Sequence, residues 1–314
     1  MGSRPSGVVA LLTDFGGYDY FVASMKGVIL SSFPSATIVD VSHEIPPFNV
    51  RRGAFVLWKS YKWFPRGTVF VGVVDPGVGS ARKGILVVGR NYYFVGPDNG
   101  LLSPAAREDG VEYVVDLSPL AARASSTFHG RDVFAPAAAL VARGEDPRSL
   151  GPPSEISVDL QLAGASVEGS TVRCSIVYVD RFGNAFTSLV GSPPWREGQD
   201  IEVNLPAGRV RARYVRTYSD VGPGEPLALV NSEGHLELAV REGSFSSRYS
   251  VREGDEVVLR PLRGPSSPHP EALAASVAAS WAAWTGSGSL IPSIISDLTS
   301  FTASSSDMPW PTLT

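Results

Sequence analysis

Val8-Val9-Ala10-Leu11-Leu12-Thr13-Asp14-Phe15-Gly16-Gly17 is the stretch that decides the fold. Five apolar residues in a row, closed by a polar turn with two glycines, read as a buried strand. The run is far too short to cross a bilayer. Downstream, Tyr20 to Ser32 has helical spacing, with Phe21, Met25, Val28 and Ile29 on one stripe. Thr37–Val41 is a second, β-branched strand, Arg51–Ser60 a helix and Thr68–Val74 a third strand. Ile85–Gly89 and Tyr92–Val95 read as a hairpin turning near Arg90-Asn91, and a helix is expected from Asp132 to Ala142. Strands alternating with helices predict an α/β N-terminal domain with a largely parallel central sheet, over residues 1–150.

The pattern then changes. Gly144 to Ser157 is rich in Pro, Gly and acidic residues, which predicts a linker, placed at 151–166. Short runs follow at Val172–Val179, Asp200–Leu205, Arg209–Val215, Leu227–Val230, His235–Val240 and Glu256–Leu259. Their turns contain Gly183, Gly208, Gly224, Gly234 and Gly254, so a smaller all-β antiparallel barrel is expected over 167–263. Residues 264–314 are a Ser/Ala-rich tail with one possible helix at Ala272–Ala283, expected to be loosely docked or partly disordered.

The chain has 314 residues, 43% hydrophobic and 18% charged, with a net charge of −4. That supports a sizeable core and offers no basic surface for nucleic acid. Arg209, Arg211 and Arg213 alternate along a strand, with Arg216 close behind, and suit its solvated face better than a phosphate site. Cys174 is the only cysteine, so neither an intrachain disulfide nor a Cys-rich zinc site can form; it reads as a small packed side chain. No signal peptide or membrane span is apparent, and a cytoplasmic location is expected.

Ligands in open α/β sheets sit beyond the strand ends, where Asp14 and Asp75 fall. Either Asp could simply be forming a turn. Asp75 opens Asp75-Pro76-Gly77-Val78-Gly79-Ser80-Ala81-Arg82, in which glycines allow close backbone approach and Arg82 can return to pair with Asp75. The segment lacks the endings of a phosphate loop or a dinucleotide fingerprint. His129 stands in Thr127-Phe128-His129-Gly130-Arg131-Asp132, just before a helix. His43, in Val41-Ser42-His43-Glu44-Ile45, reads as pocket-lining or hydrogen-bonded. In Asp180-Arg181-Phe182-Gly183-Asn184 an Asx turn explains much. The same residues could stack a base on Phe182 and bind a ribose hydroxyl through Asp180 or a base edge through Asn184. Asn231-Ser232-Glu233-Gly234 is another polar turn. No convergent metal-ligand set can be assembled, and no cofactor is expected.

Taken together, these motifs resemble the S-adenosylmethionine hydroxide adenosyltransferases, or SAM hydrolases, relatives of the fluorinase and chlorinase enzymes. The likeness runs from about Val8 to Leu262. It also includes Gly96-Pro97-Asp98-Asn99-Gly100 and lies outside the tail. It implies an N-terminal α/β domain, a C-terminal β-barrel and a homotrimer with active sites between neighbouring subunits. It implies that water displaces methionine from the 5′ carbon of S-adenosylmethionine, giving adenosine and L-methionine. Asp75, Arg82 and His129 match the catalytic set of the water-using branch, where the halogenating relatives carry other residues at the Asp75 and His129 positions. By the same carry-over Asp14 holds the ribose hydroxyls, and Phe48 and Tyr218 are aromatic positions around the nucleoside. Asp180 and Ser232 bind the methionine part, Asn184 binds the adenine, and Phe182 joins the substrate-binding set. The segment at Asp180-Arg181-Phe182 is one residue shorter than in the halogenating enzymes. Two competing expectations remain: a halide-using adenosyl transferase, and a non-catalytic protein binding adenosine or S-adenosylmethionine.

Overall fold

The computed structural model describes residues 3–122 and 124–262; the tail at 264–314, with its expected helix, lies outside them. Strand β1 (Val8–Thr13) is flanked in parallel by β2 (Thr37–Ser42) and β3 (Val69–Val73), and β3 pairs in parallel with β5 (Tyr93–Pro97). The hairpin expected from sequence is present: β4 (Gly84–Gly89) runs antiparallel to β5 and then to β6 (Val111–Asp116). The edge strand β7 (Pro153–Ser154) completes the order β2-β1-β3-β5-β4-β6-β7.

The continuous apolar run of β1 makes sense because both faces of the sheet are covered. Val9 and Leu11 point to one core with Met25 and Ile29 of α1 (Phe21–Ser32). Ala10 and Leu12 point to the other, with Ala54, Phe55 and Leu57 of α2 (Val50–Ser60). Helix α3 (Ser103–Asp109) joins the α2 side through Ala105 and Ala106, and the short α4 (Ser118–Ala121) follows β6. Helix α5 (Ala135–Arg143) packs on the α1 side through Ala138 and Val141.

The expected linker is not a free tether. Pro153 pairs with Val115, Asp98 accepts hydrogen bonds from the Ser157 N–H at 3.1 Å, and Ser103 accepts one from the Leu160 N–H at 2.9 Å. The chain then enters β8 (Ser166–Glu168), β9 (Thr171–Val179), β10 (Ala185–Val190), β11 (Asp200–Leu205), β12 (Gly208–Tyr214), β13 (Pro226–Val230), β14 (His235–Val240), α6 (Phe245–Tyr249) and β15 (Glu256–Pro261). Seven of these strands close into a barrel in the order β10-β14-β13-β12-β11-β15-β9, with β9 meeting β10 and β8 added outside on β9.

The barrel is mixed rather than wholly antiparallel as expected. Strands β12 and β13 run parallel, Arg213 opposite Leu227 and Tyr214 opposite Ala228. Residues 215–225, with the turn Tyr218–Asp220, form a crossover long enough to bring the chain back in the same direction. Along β12 the alternation expected for the arginines holds: Arg209, Arg211 and Arg213 are exposed, and Val210, Ala212 and Tyr214 face the barrel core. Arg211 and Arg213 pair with Asp200. Cys174 is buried in the same core.

The outer barrel wall packs against α2. Phe55 stacks on Tyr178 with ring centroids 4.5 Å apart, and Arg52 donates to the Val179 carbonyl at 2.9 Å while pairing with Glu253. Lys62 reaches Glu233 at 2.9 Å.

Candidate active site

Two cavities are lined by eight of the ten residues singled out from sequence, and a ninth, Arg82, touches two of those eight. The first, about 440 Å³, lies at the carboxyl ends of β1 and β3 and is lined by Asp14, Phe15, Phe48, Asp75, Phe128 and His129, among others. Phe15, Phe21 and Phe128 make an aromatic wall, with centroids 5.2–5.9 Å apart. Asp14 follows β1, and its Oδ2 accepts the Phe48 N–H at 2.9 Å. That bond secures Phe48 at φ 67°, a left-handed conformation that a bulky aromatic seldom adopts, with its ring exposed.

Asp75 lies just beyond β3. The amide of Asn99, in the Gly96–Gly100 motif, donates to the carbonyl of Val74 at 2.8 Å and holds that strand end. The chain then turns tightly through Gly77–Ser80. At Gly79, φ is 78° and a Cβ would stand 2.5 Å from the Ser126 carbonyl oxygen, so only glycine lets this loop lie against the one leading to His129. Arg82 returns as expected. Its Nη2 pairs with Asp75 Oδ2 and lies 3.2 Å from His129 Nδ1. Nη1 donates to the Lys83 carbonyl at 3.0 Å, and the guanidinium lies over the Phe134 ring.

His129 leads into a continuous helical run in which a π turn, Gly130–Phe134, is followed by α5 from Ala135, so the helix expected near Asp132 is present and opens with π geometry. Asp132 instead accepts the Ser125 N–H at 3.0 Å and pairs with Arg131, tying the loop to the turn. Such single π turns often occur at functional sites.

The electrostatics of this corner follow from burial. The Asp75 and Arg82 side chains are only 5% and 9% exposed. Burial raises the Asp75 carboxyl above the usual range, against the pull of Arg82. Burial lowers the His129 imidazole, and the adjacent Arg82 charge lowers it further. A guanidinium has no acceptor, so a hydrogen bond from Arg82 requires a lone pair on Nδ1; the neutral ring then carries its proton on Nε2.

The second cavity, about 680 Å³, is on the barrel and shares no lining residue with the first. Asp180, Phe182, Asn184, Tyr218, Arg241 and Glu242 are on its wall. The Asx turn anticipated from sequence is there: Asp180 Oδ1 accepts the N–H groups of Phe182 and Asn184, both at 2.9 Å, and Oδ2 accepts Asn184 Nδ2 at 3.0 Å. Phe182 is left 75% exposed. Ser232 is on the wall of neither cavity; it belongs to the turn Asn231–Gly234 beside the barrel. His43 is hydrogen-bonded rather than pocket-lining, with Nδ1 2.8 Å from Thr13 Oγ1.

Sequence reasoning passed over Glu237. It lies under Tyr218, 1% exposed, in the alternating run His235–Val240, which gives no sign that its outward side chains are covered. Among the described residues no group of three or more His, Cys, Asp or Glu is placed to hold a metal ion. Nor is any helix among them long and apolar enough to cross a membrane.

Comparison with known proteins gives this arrangement relatives. Residues 9–151 match the model of the SAM hydroxide adenosyltransferase N-terminal domain, and residues 174–258 that of its C-terminal domain. An (R)-S-adenosyl-L-methionine hydrolase of Thermus thermophilus is 39% identical over 80% of this chain and 98% of its own length. A fluorinase of Actinopolyspora mzabensis is more distant, 28% identical over 81% of this chain and 97% of its own. The crystal structure of an uncharacterised conserved protein from Thermotoga maritima superposes with a TM-score of 0.75 at 36% identity, covering 80% of this chain and 99% of that one. With both domain models matched in order and hydrolase relatives aligned over nearly their full length, this chain belongs to the SAM hydroxide adenosyltransferase family.

Proposed function

We propose that the protein hydrolyses S-adenosyl-L-methionine to adenosine and L-methionine, by attack of water on the 5′ carbon of the ribose. The observation that carries this reading is the buried Asp75–Arg82–His129 cluster beside an aromatic-walled cavity. Methionine departs from the sulfonium as a neutral thioether, so the leaving group needs no acid. The nucleophile is the difficulty, since free water has a pKa of about 15.7.

A water between Asp75 and His129 would meet complementary partners. His129, neutral and protonated on Nε2, donates to its oxygen. Asp75, a stronger base than an ordinary carboxylate because it is buried, takes its proton; such general-base assistance is worth about 10²–10⁴-fold. Arg82 is the positioning residue: it holds Asp75 Oδ2 and fixes the imidazole tautomer. Alignment against the 5′ carbon supplies up to roughly 7–11 kcal/mol more. Asp14, whose Oδ2 holds the Phe48 N–H, presents Oδ1 to the ribose hydroxyls.

The barrel cavity supplies the rest of the substrate contacts in this reading. Asn184 gives one amide hydrogen to Asp180, and its amide oxygen is oriented to meet the adenine edge. Phe182 and Tyr218 flank the nucleoside, and Asp180 with Ser232 meets the methionine part. The two cavities have disjoint linings, which supports assembly as a homotrimer in which the Asp75 cavity of one copy faces the Asp180 cavity of the next. The reaction is read as requiring no metal or other cofactor, so EDTA is expected to leave turnover unchanged.

Product analysis in oxygen-18 water tests the reading. Label in the adenosine 5′ hydroxyl is the expected result. Unlabelled adenosine, a 5′-halo-adenosine formed when halide is supplied, or tight binding with no turnover would each overturn it.

A further inference from the structure

Strand β14 places Leu236, Leu238 and Val240 in the barrel core, so His235, Glu237 and Ala239 point outward. Outward residues of a barrel usually meet water, yet Glu237 is 1% exposed. The crossover from β12 to β13 covers it. A buried carboxylate ordinarily has a cationic partner. Among the described residues Glu237 has none; its oxygens are met by two neutral donors. Tyr218 donates its hydroxyl to Oε1 at 2.5 Å, and Asn231 donates Nδ2 to Oε2 at 3.0 Å.

Both donors bear on the barrel half of the site. Tyr218 is on the cavity wall, on the turn Tyr218–Asp220. Asn231 opens the turn that carries Ser232, and its Oδ1 accepts the N–H groups of Glu233 at 3.0 Å and His235 at 3.1 Å. One carboxylate therefore ties the crossover that enters β13 to the turn that leaves it. Burial raises the Glu237 carboxyl above its usual range, which marks a group kept in place against its own solvation.

We propose that Glu237 is a positioning residue for substrate binding: it clamps the Tyr218 ring and the Asn231–Gly234 turn so that the barrel cavity is preorganised for the adenosyl-methionine skeleton. The proposal rests on the hydrolase reading above. It gives Glu237 no part in the chemical step, so its loss weakens binding without slowing bound substrate.

The test uses the full chain with Glu237 replaced by Leu, Asp and Gln, each checked for folding by near-ultraviolet circular dichroism. Leucine offers no acceptor, and aspartate is one methylene too short to reach both partners. Glutamine keeps the clamp: its oxygen still accepts from Asn231, and its amide donates to the Tyr218 oxygen, since a phenol can accept as well as donate. KM for S-adenosylmethionine is expected to rise at least tenfold in Glu237→Leu and severalfold in Glu237→Asp, with kcat within about threefold of the wild type. Glu237→Gln is expected to restore KM to within about threefold. Folded Leu and Asp variants with wild-type KM would overturn the proposal. So would a loss confined to kcat, or a Gln variant as impaired as Leu, which would assign the effect to charge instead. If the wild-type chain fails to turn over S-adenosylmethionine at all, the hydrolase reading fails. Calorimetric binding of adenosine to the same variants would then still report on the clamp.

Discussion

Asp75 and Asp180 both follow a strand, and both were read from sequence as turn formers that could bind something. Their surroundings differ in range. The carboxylate of Asp180 is occupied by groups two and four residues along the chain. The carboxylate of Asp75 meets Arg82, seven residues on, and through it His129, a further 47 residues away. A local turn holds its own backbone and leaves Phe182 exposed beside a buried Asn184. A cluster drawn from distant segments is buried, with shifted proton affinities, and exists only when the whole sheet is assembled. The first suits binding and the second suits chemistry.

That contrast is open to direct attack. Asp75→Asn keeps the shape and removes the proposed base, so kcat should fall by about 10²–10⁴-fold with KM little changed; His129→Ala should follow at the lower end. Steady-state kinetics with chromatographic detection of adenosine measure both, and normal turnover in the two variants would end the assignment. The same corner predicts the acid limb of the rate profile. Acid protonates Asp75, which holds its proton more tightly than a free aspartate, and His129, which yields its proton more readily than a free imidazole. The rate should therefore fall as pH drops below the neutral range, and Arg82→Lys should shift that limb because the charge that tunes both groups moves.

A second effect belongs to the seam between the regions. His235 is fully buried beside Phe55 and Trp58, with Nδ1 2.7 Å from the Thr187 carbonyl. Burial, aided by Lys59, lowers its pKa to about 4 from the ordinary 6.5. A depressed value means that the stabilisation is complete above the unfolded value and is lost as pH falls from 6.5 towards 4, to the extent of about 3 kcal/mol. Urea unfolding across that window should show the loss, and His235→Gln should flatten it. A wild-type profile already flat there would show that the seam tolerates a charged imidazole.

The barrel platform should give the smallest change. Asn184→Ala is expected to raise KM about tenfold, or about 1.4 kcal/mol, with kcat nearly constant. Mixing sharpens the comparison further. Asp75→Asn chains and Asn184→Ala chains, refolded together and assayed at low substrate, should exceed the average of the two alone if each site draws on two copies. Strict averaging would place both cavities' work within one chain.

The parts legible in sequence were those set by local pattern. The apolar run at Val8–Leu12, the stripe through Met25 and Ile29, and the Asx turn at Asp180 all announce themselves within a few residues. The parallel pairing of β12 with β13 did not, because strand direction depends on where residues 215–225 carry the chain, and those residues have no periodicity of their own. The helix expected near Asp132 is present, but the π turn that opens it was not legible, because it depends on where the loop before His129 is tied, with Asp132 accepting the Ser125 N–H. Glu237 was invisible because an alternating strand reads as half solvated whether or not another segment lies over it.

Phe48 carries one more consequence. Its left-handed backbone stores roughly 1–3 kcal/mol that a glycine would not, released only at the expense of an aromatic ring poised at the mouth of the Asp14 cavity. The chain is in that sense tuned away from its most durable form. Selection for heat resistance alone would drift towards Phe48→Gly, and on the proposed reading the protein that emerged would outlast its ancestor while holding S-adenosylmethionine less well.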